Sequence, residues 1–158
     1  DAGIDRRRLL GSAPEAYRAA VRAIVALEVG CPASAVSLTL IGRLPNQIVV
    51  PWSQASVNGE LLEERISSTR MARLSTRGAT AWPPGPYALA AAAARVVSCI
   101  VSGNGRQTCC CVVVNRELGV RRRAMVAPVE LDAVGVTRIG EPSLNVRERG
   151  LLETARVD

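Results

Sequence analysis

The 158-residue sequence has no histidine, no phenylalanine and no lysine, so all 20 of its basic side chains are arginine. Without imidazole, no side chain has an ordinary pKa between about 5 and 8, and proton transfer at neutral pH loses its usual carrier. The same absence rules out a Cys/His zinc site, and the five cysteines contain no CxxC pair, so no metal centre is expected. Aromatic residues are limited to Tyr17, Trp52, Trp82 and Tyr87. The core therefore has to be built from Ala, Val, Leu and Ile, and the aromatic platforms that stack single-stranded bases are missing. Long apolar runs are missing too. The longest, Tyr87 to Ala94, is broken by Arg95 before it resumes to Val101. A membrane span needs about 20 residues, so none is expected. No apolar segment follows the opening charges as a secretory leader requires.

What is present argues for a packed chain. Apolar residues make up 48% of it, too many for disorder. Residues 1–158 are read as a single domain, large enough to bury roughly two thirds of its unfolded surface. The net charge is +6. Two arginine runs, Arg6-Arg7-Arg8 and Arg121-Arg122-Arg123, read as solvated faces or as docking points for an acidic protein partner; no nucleic acid is expected. Cys109, Cys110 and Cys111 are adjacent in a Val-rich run. On a strand, Cys109 and Cys111 face one way and Cys110 the other, and all three read as small buried side chains. Free thiols suggest a reducing compartment, and a cytoplasmic location is expected.

Local signals give the order of elements. Ser12-Ala-Pro-Glu15 has capping-box spacing, Ala16, Ala20, Ile24 and Leu27 recur at helical spacing, and Gly30 supplies a stop. This predicts a helix over 13–29. Short strands are expected over 36–41 and 48–50. Asn58-Gly59 signals a hairpin between 55–57 and 61–62, and 60–74 reads as helical. After the breaker cluster Pro83-Pro84-Gly85-Pro86, an Ala-rich helix is expected over 87–102, ended by Gly103-Asn104-Gly105. Strands follow over 108–114, 124–131 and 136–139. A last helix, capped by Ser143 or Asn145, reaches Val157. Helix, small strands, helices, an antiparallel meander and a final helix make an α+β pattern.

Three blocks carry a family likeness. Residues 77–85, Arg-Gly-Ala-Thr-Ala-Trp-Pro-Pro-Gly, are similar to K-G-Y-T-S-W-A-I-G. Residues 41–53, Ile-Gly-Arg-Leu-Pro-Asn-Gln-Ile-Val-Val-Pro-Trp-Ser, are similar to L-G-E-H-G-D-S-S-V-P-V-W-S. Residues 9–22, Leu-Leu-Gly-Ser-Ala-Pro-Glu-Ala-Tyr-Arg-Ala-Ala-Val-Arg, are similar to V-I-G-S-G-T-N-L-D-S-A-R-F-R. Those strings, in this order, resemble the carboxy-terminal, substrate-side half of the lactate/malate dehydrogenases. The stretch from Ala127-Pro128-Val129 to the last helix resembles the family's ending as well.

The resemblance implies an α+β domain that packs on a nucleotide-binding domain and self-associates into a homo-oligomer. It implies NAD only if such a domain lies upstream, because no GxGxxG loop follows a strand in this sequence; this domain alone is expected to bind no cofactor. In the family a histidine, oriented by an aspartate, moves the substrate proton, and an arginine holds the substrate carboxylate. The ungapped register puts Leu44 at the histidine, Tyr17 at the aspartate and Ala20 at the arginine. Thr80 matches a pocket threonine, which makes it a weak substrate-binding candidate, and Trp82 matches the tryptophan beside it. Arg43 is a possible replacement charge. No catalytic residue is therefore named.

Three functions follow. The chain is a catalytically inactive substrate-side domain of a 2-hydroxy acid dehydrogenase-like protein. Alternatively it is an oxidoreductase in which Tyr17, Thr80 or Arg43 has taken over the chemistry. Or it is a structural subunit that docks through its arginine-rich surfaces.

Overall fold

The computed structural model describes residues 3–103 and 105–157. Asn104, the middle of the expected Gly103-Asn104-Gly105 stop, lies outside them. The first helix, α1 (Ala13–Val29), has the expected bounds, with Pro14 in its first turn and Gly30 closing it at φ 75. The expected capping box does not form. Ser12 caps with helical rather than extended backbone and its side chain makes no cap bond. The Glu15 carboxylate that should have reached back is held instead by Arg18, Thr108 and the Cys109 amide. Two charge-assisted bonds to a guanidinium outweigh one bond to a backbone N–H.

A 3-10 turn at Arg6–Arg8 and strand β1 (Leu10–Gly11) precede α1, and neither is marked by a sequence signal. After it come β2 (Val36–Ser37), β3 (Ile41–Arg43), β4 (Gln47–Val49), β5 (Ser56–Val57) and β6 (Glu60–Leu61). The stretch expected as one strand over 36–41 is thus split between two sheets, β2 pairing with β5 and β3 with β4. The Asn58-Gly59 hairpin forms as expected, with φ 54 and 86 at its two turn residues.

The single helix expected over 60–74 is wrong in both bounds and continuity. Glu60 and Leu61 pair with Val57 and Ser56, a one-turn helix α2 covers Leu62–Arg65, and α3 runs from Ser68 to Ala79. Extended backbone at Ile66 and Ser67 separates the two, and Ser67 accepts from the Arg70 amide as N-cap of α3. Leu62 and Ile66, on either side of the one-turn helix's end, are both buried. Helix α4 (Pro86–Ser102) matches expectation and ends at Gly103 with φ 57. β7 (Gln107–Asn115), β8 (Arg121–Asp132) and β9 (Gly135–Ile139) form the expected antiparallel meander, and α5 (Val146–Val157) closes the chain. Of its two candidate caps Asn145 is used, its Oδ1 accepting from the Glu148 amide.

The architecture is α+β. The larger sheet has the order β1-β7-β8-β3-β4, with β9 also on β8; β2-β5-β6 form the smaller one. Alternate residues of β7 and β8 feed two cores. Cys110, Val112, Met125 and Ala127 join Val96 of α4 and Leu152 of α5, whereas Cys109 and Val126 join Tyr17, Val21 and Val25 of α1 and Leu74 of α3. Cys109 and Cys110 thus alternate as a strand requires, whereas Cys111, also expected to be buried, is only half-buried. Burial pushes the Cys109 and Cys110 thiols up to about 11 and about 12, which leaves them protonated and inert. Among the described residues no helix is long and apolar enough to cross a membrane, and no cluster of His, Cys, Asp and Glu that would hold a metal is found.

Candidate functional site

Tyr17 lies in the second turn of α1 and is 4% exposed. Its ring meets Trp82 edge to face, centroids 5.8 Å apart and planes at 82°, a favourable aromatic geometry. Leu44 occupies the turn between β3 and β4 and packs against the same core, as do Ile48, Trp52, Met71 and Trp82. The hairpin that carries it is tight. Gly42 has φ 120, and a Cβ there would fall on the Gln47 carbonyl oxygen, so only glycine fits. The fold therefore sets Tyr17 against Trp82, far apart in sequence, and packs Leu44 on the same apolar core. Burial pushes the Tyr17 phenol up, away from neutral pH.

The other expected positions contribute less. Ala20 is half-buried on α1 and offers only a methyl group. Thr80 ends α3, is exposed, and donates its hydroxyl to the Arg77 carbonyl at 2.8 Å, as a helix-terminal threonine does. Arg43 stands opposite Gln47 in the β3–β4 ladder, with one guanidinium nitrogen buried and lacking a hydrogen-bond partner. A cleft of about 740 Å³ opens between α3, α5 and β4. Of Tyr17, Ala20, Arg43, Leu44 and Thr80, only Tyr17 borders it.

Two buried carboxylates were not singled out as functional from the sequence. Glu15, 1% exposed, accepts from Arg18 Nε and Nη2 at 2.8 Å each, from the Thr108 hydroxyl at 2.8 Å and from the Cys109 amide at 3.0 Å. Burial alone pushes its carboxyl up, but those donors outweigh burial and hold it below its ordinary value. Glu148, 5% exposed, accepts from the Ser53 amide at 2.9 Å, the Ser53 hydroxyl at 2.6 Å and the Asn145 amide at 3.0 Å. The Glu15, Arg18, Arg22 spacing along one helical stripe was the available signal for the first. Nothing local to Glu148 pointed to Ser53, 95 residues away.

No protein-family model matches the sequence. Individual proteins do. The malate dehydrogenase of Cytophaga hutchinsonii is 26% identical over 165 residues, a match covering 97% of this chain and 52% of that protein. Among solved structures, malate dehydrogenase from Salinibacter ruber superposes with a TM-score of 0.90 at 25% identity, over 98% of this chain and 53% of that one. Lactate dehydrogenase from Cryptosporidium parvum, solved with lactic acid and nicotinamide adenine dinucleotide, gives 0.91 at 23% identity, again over 98% and 53%. The chain spans about half the length of the relatives it matches. Its fold is that of the lactate/malate dehydrogenase carboxy-terminal domain.

Proposed function

We propose that this chain is the substrate-side domain of a malate/lactate dehydrogenase-like protein, and that this domain has lost the proton and carboxylate chemistry of the family. What supports the reading is the family register, which puts Leu44 at the proton-moving histidine, Tyr17 at its aspartate and Ala20 at the carboxylate-binding arginine. Reducing a carbonyl by hydride requires a proton donor near neutral pH. A leucine has no proton to give, and no imidazole exists anywhere in the sequence. Holding a carboxylate in a dry pocket requires a cation, for which a planar guanidinium is best suited, and Ala20 supplies none. The packing supports loss rather than repair, because Leu44 and Trp82 lie against the Tyr17 core. Thr80 is retained as a hydroxyl that closes α3.

In this reading the residues form one domain that packs on a separate nucleotide-binding domain and contributes to a homo-oligomer in the cytoplasm. Gly103 ends α4 instead of opening a helix, so it presents no helix N-terminus to a pyrophosphate. NAD would belong to that nucleotide-binding domain.

The test is a turnover assay on the gene product that contains this chain, with reduced nicotinamide cofactor and a panel of 2-keto acids. The expected result is no oxidation above the no-enzyme background. Turnover that persists through purification and falls on substitution within this chain overturns the reading. One observation favours the second reading, a working oxidoreductase with altered residues: the buried Arg43 nitrogen without a partner offers a positive charge beside Leu44. Under that reading Arg43→Gln abolishes turnover of an acidic substrate; an unchanged rate removes it.

A further inference from the structure

We propose that Asn58 is a site of spontaneous modification. Its side-chain amide is lost by attack of the next backbone nitrogen, and the isoaspartate that results unfastens the β5–β6 hairpin. The inference does not rest on the dehydrogenase-like reading. The step needs an electrophilic side-chain carbonyl and an unhindered nucleophile one residue on. Gly59 supplies the nucleophile, because it has no side chain to shield its nitrogen. Apart from its chain neighbours, no heavy atom lies within 4 Å of where its Cβ would stand. Asn58 and Gly59 are both exposed at the tip of the turn.

The chemistry uses only water. The Gly59 nitrogen gives up its proton and bonds to Asn58 Cγ, the Cγ–Nδ2 bond breaks, and ammonia leaves. A five-membered imide has then closed. Water opens it at either carbonyl. One opening gives aspartate; the other routes the main chain through the side chain and gives isoaspartate. No electron donor or acceptor takes part.

The fold leaves the ring within reach. In the turn Asn58 has φ 54 and Gly59 φ 86, and the Asn58 N–H donates to the Ala35 carbonyl at 2.9 Å. Ring closure has to turn this backbone, so the hairpin must open first. Little holds it. β5 and β6 share two residue pairs, Ser56 with Leu61 and Val57 with Glu60. β6 is the edge of its sheet, and both of its residues are exposed. Hairpins are marginal by themselves, and opening a piece of this size is a local event that costs far less than global unfolding.

The two products differ in their effect. A two-residue loop of this kind needs positive φ at both positions, and aspartate tolerates it. Isoaspartate instead inserts one more carbon into the main chain of the loop, and the two pairs beyond it cannot both keep their register. The disruption falls beside Leu62, which follows β6, is fully buried, and donates its N–H to the Ala55 carbonyl at 2.8 Å.

The experiment incubates the whole chain, folded and in urea, in warm, mildly alkaline buffer and follows each asparagine by peptide mass mapping. In the folded chain Asn58 should convert at least roughly tenfold faster than Asn46, Asn115 and Asn145, which precede Gln47, Arg116 and Val146. It should convert no more than about tenfold slower than in urea. Equal rates at the four asparagines, or a folded rate at Asn58 further below the urea rate, overturn the proposal. Asn104 also precedes a glycine and is read on its own peptide. Asn58→Gln, whose longer side chain does not close the five-membered ring, should block the loss. The isoaspartyl form, separated by ion exchange, should melt below the parent, whereas Asn58→Asp should melt with it. An isoaspartyl form that melts with the parent overturns the link to the hairpin.

Discussion

The two buried sides of α1 make opposite use of the same helix. One carries Tyr17, Val21 and Val25, all at most 4% exposed, against apolar neighbours. The other carries Glu15, Arg18 and Arg22 in hydrogen bonds to β7 and to the segment before β2. The first holds by area removed from water and has no polar requirement. The second holds by geometry, and each group in it is costly without its partner. The comparison bears on the proposed loss of the family's chemistry. Where the family likeness implies a charged pair, the register puts side chains that join the apolar side, and one Arg43 nitrogen beside Leu44 is buried without a hydrogen-bond partner. Charge has been kept one stripe away, where the Glu15 carboxylate and its four bonds fix it.

Substitutions on each side test this contrast, and the largest effect should come from putting charge back into the apolar side. Tyr17→Asp removes the ring from Trp82 and places a carboxylate in an apolar core. A loss of about 5 kcal/mol, or failure to fold, is expected from the cavity and desolvation terms together; urea unfolding measures it, and a loss below about 1 kcal/mol would show that the site accommodates the family's aspartate. Glu15→Gln comes next. It leaves Arg18 buried without a countercharge, and about 3 kcal/mol should go. This variant also carries a pH signature. The folded carboxyl lies below its ordinary value of 4.5, so its contribution is present above that value and is lost as pH falls through the lowered folded pKa. Thermal unfolding from pH 7 to pH 2 should show a shallower acid limb in Glu15→Gln than in the parent; identical limbs would mean that another carboxylate governs it.

Smaller effects sharpen the contrast away from α1. Glu148→Gln weakens the bonds to Ser53 and Asn145 and should cost about 1–2 kcal/mol, with the loss confined to α5 if that helix opens by itself. Thr80→Ala should change stability by no more than about 0.5 kcal/mol, because its hydroxyl is exposed and bonds only one turn back. A loss of several kcal/mol in the same unfolding assay would assign Thr80 a structural role that its surroundings do not suggest.

Much of the fold was readable because its signals are local. Pro14 and Gly30 bound α1, Pro86 and Gly103 bound α4, and Asn58-Gly59 sets the hairpin. The bend at Ile66 and Ser67 carries no glycine or proline, and its one local mark is Ser67 as the N-cap of α3. The capping box expected at Ser12 and Glu15 gives way to bonds from Arg18, three residues on, and from Thr108, 93 residues away. The same device does form at Asn145 and Glu148, where both reciprocal bonds are present. Local spacing offered the reading at both places, and tertiary partners decided between them. The cluster around Tyr17, Leu44 and Trp82 was readable only through the family likeness.

The bonds from Glu148 to Ser53 have a consequence for exchange with solvent. Glu148 belongs to α5, whereas Ser53 belongs to the turn that follows β4, and the one carboxylate protects an amide in each segment: Ser53 N–H at 2.9 Å and Asn145 N–H at 3.0 Å. When α5 lifts from the sheet, the Ser53 amide loses its acceptor in the same event. In deuterium the two should therefore exchange at a common rate set by a single opening equilibrium, so that a residue in the middle of the chain reports on the docking of its last helix.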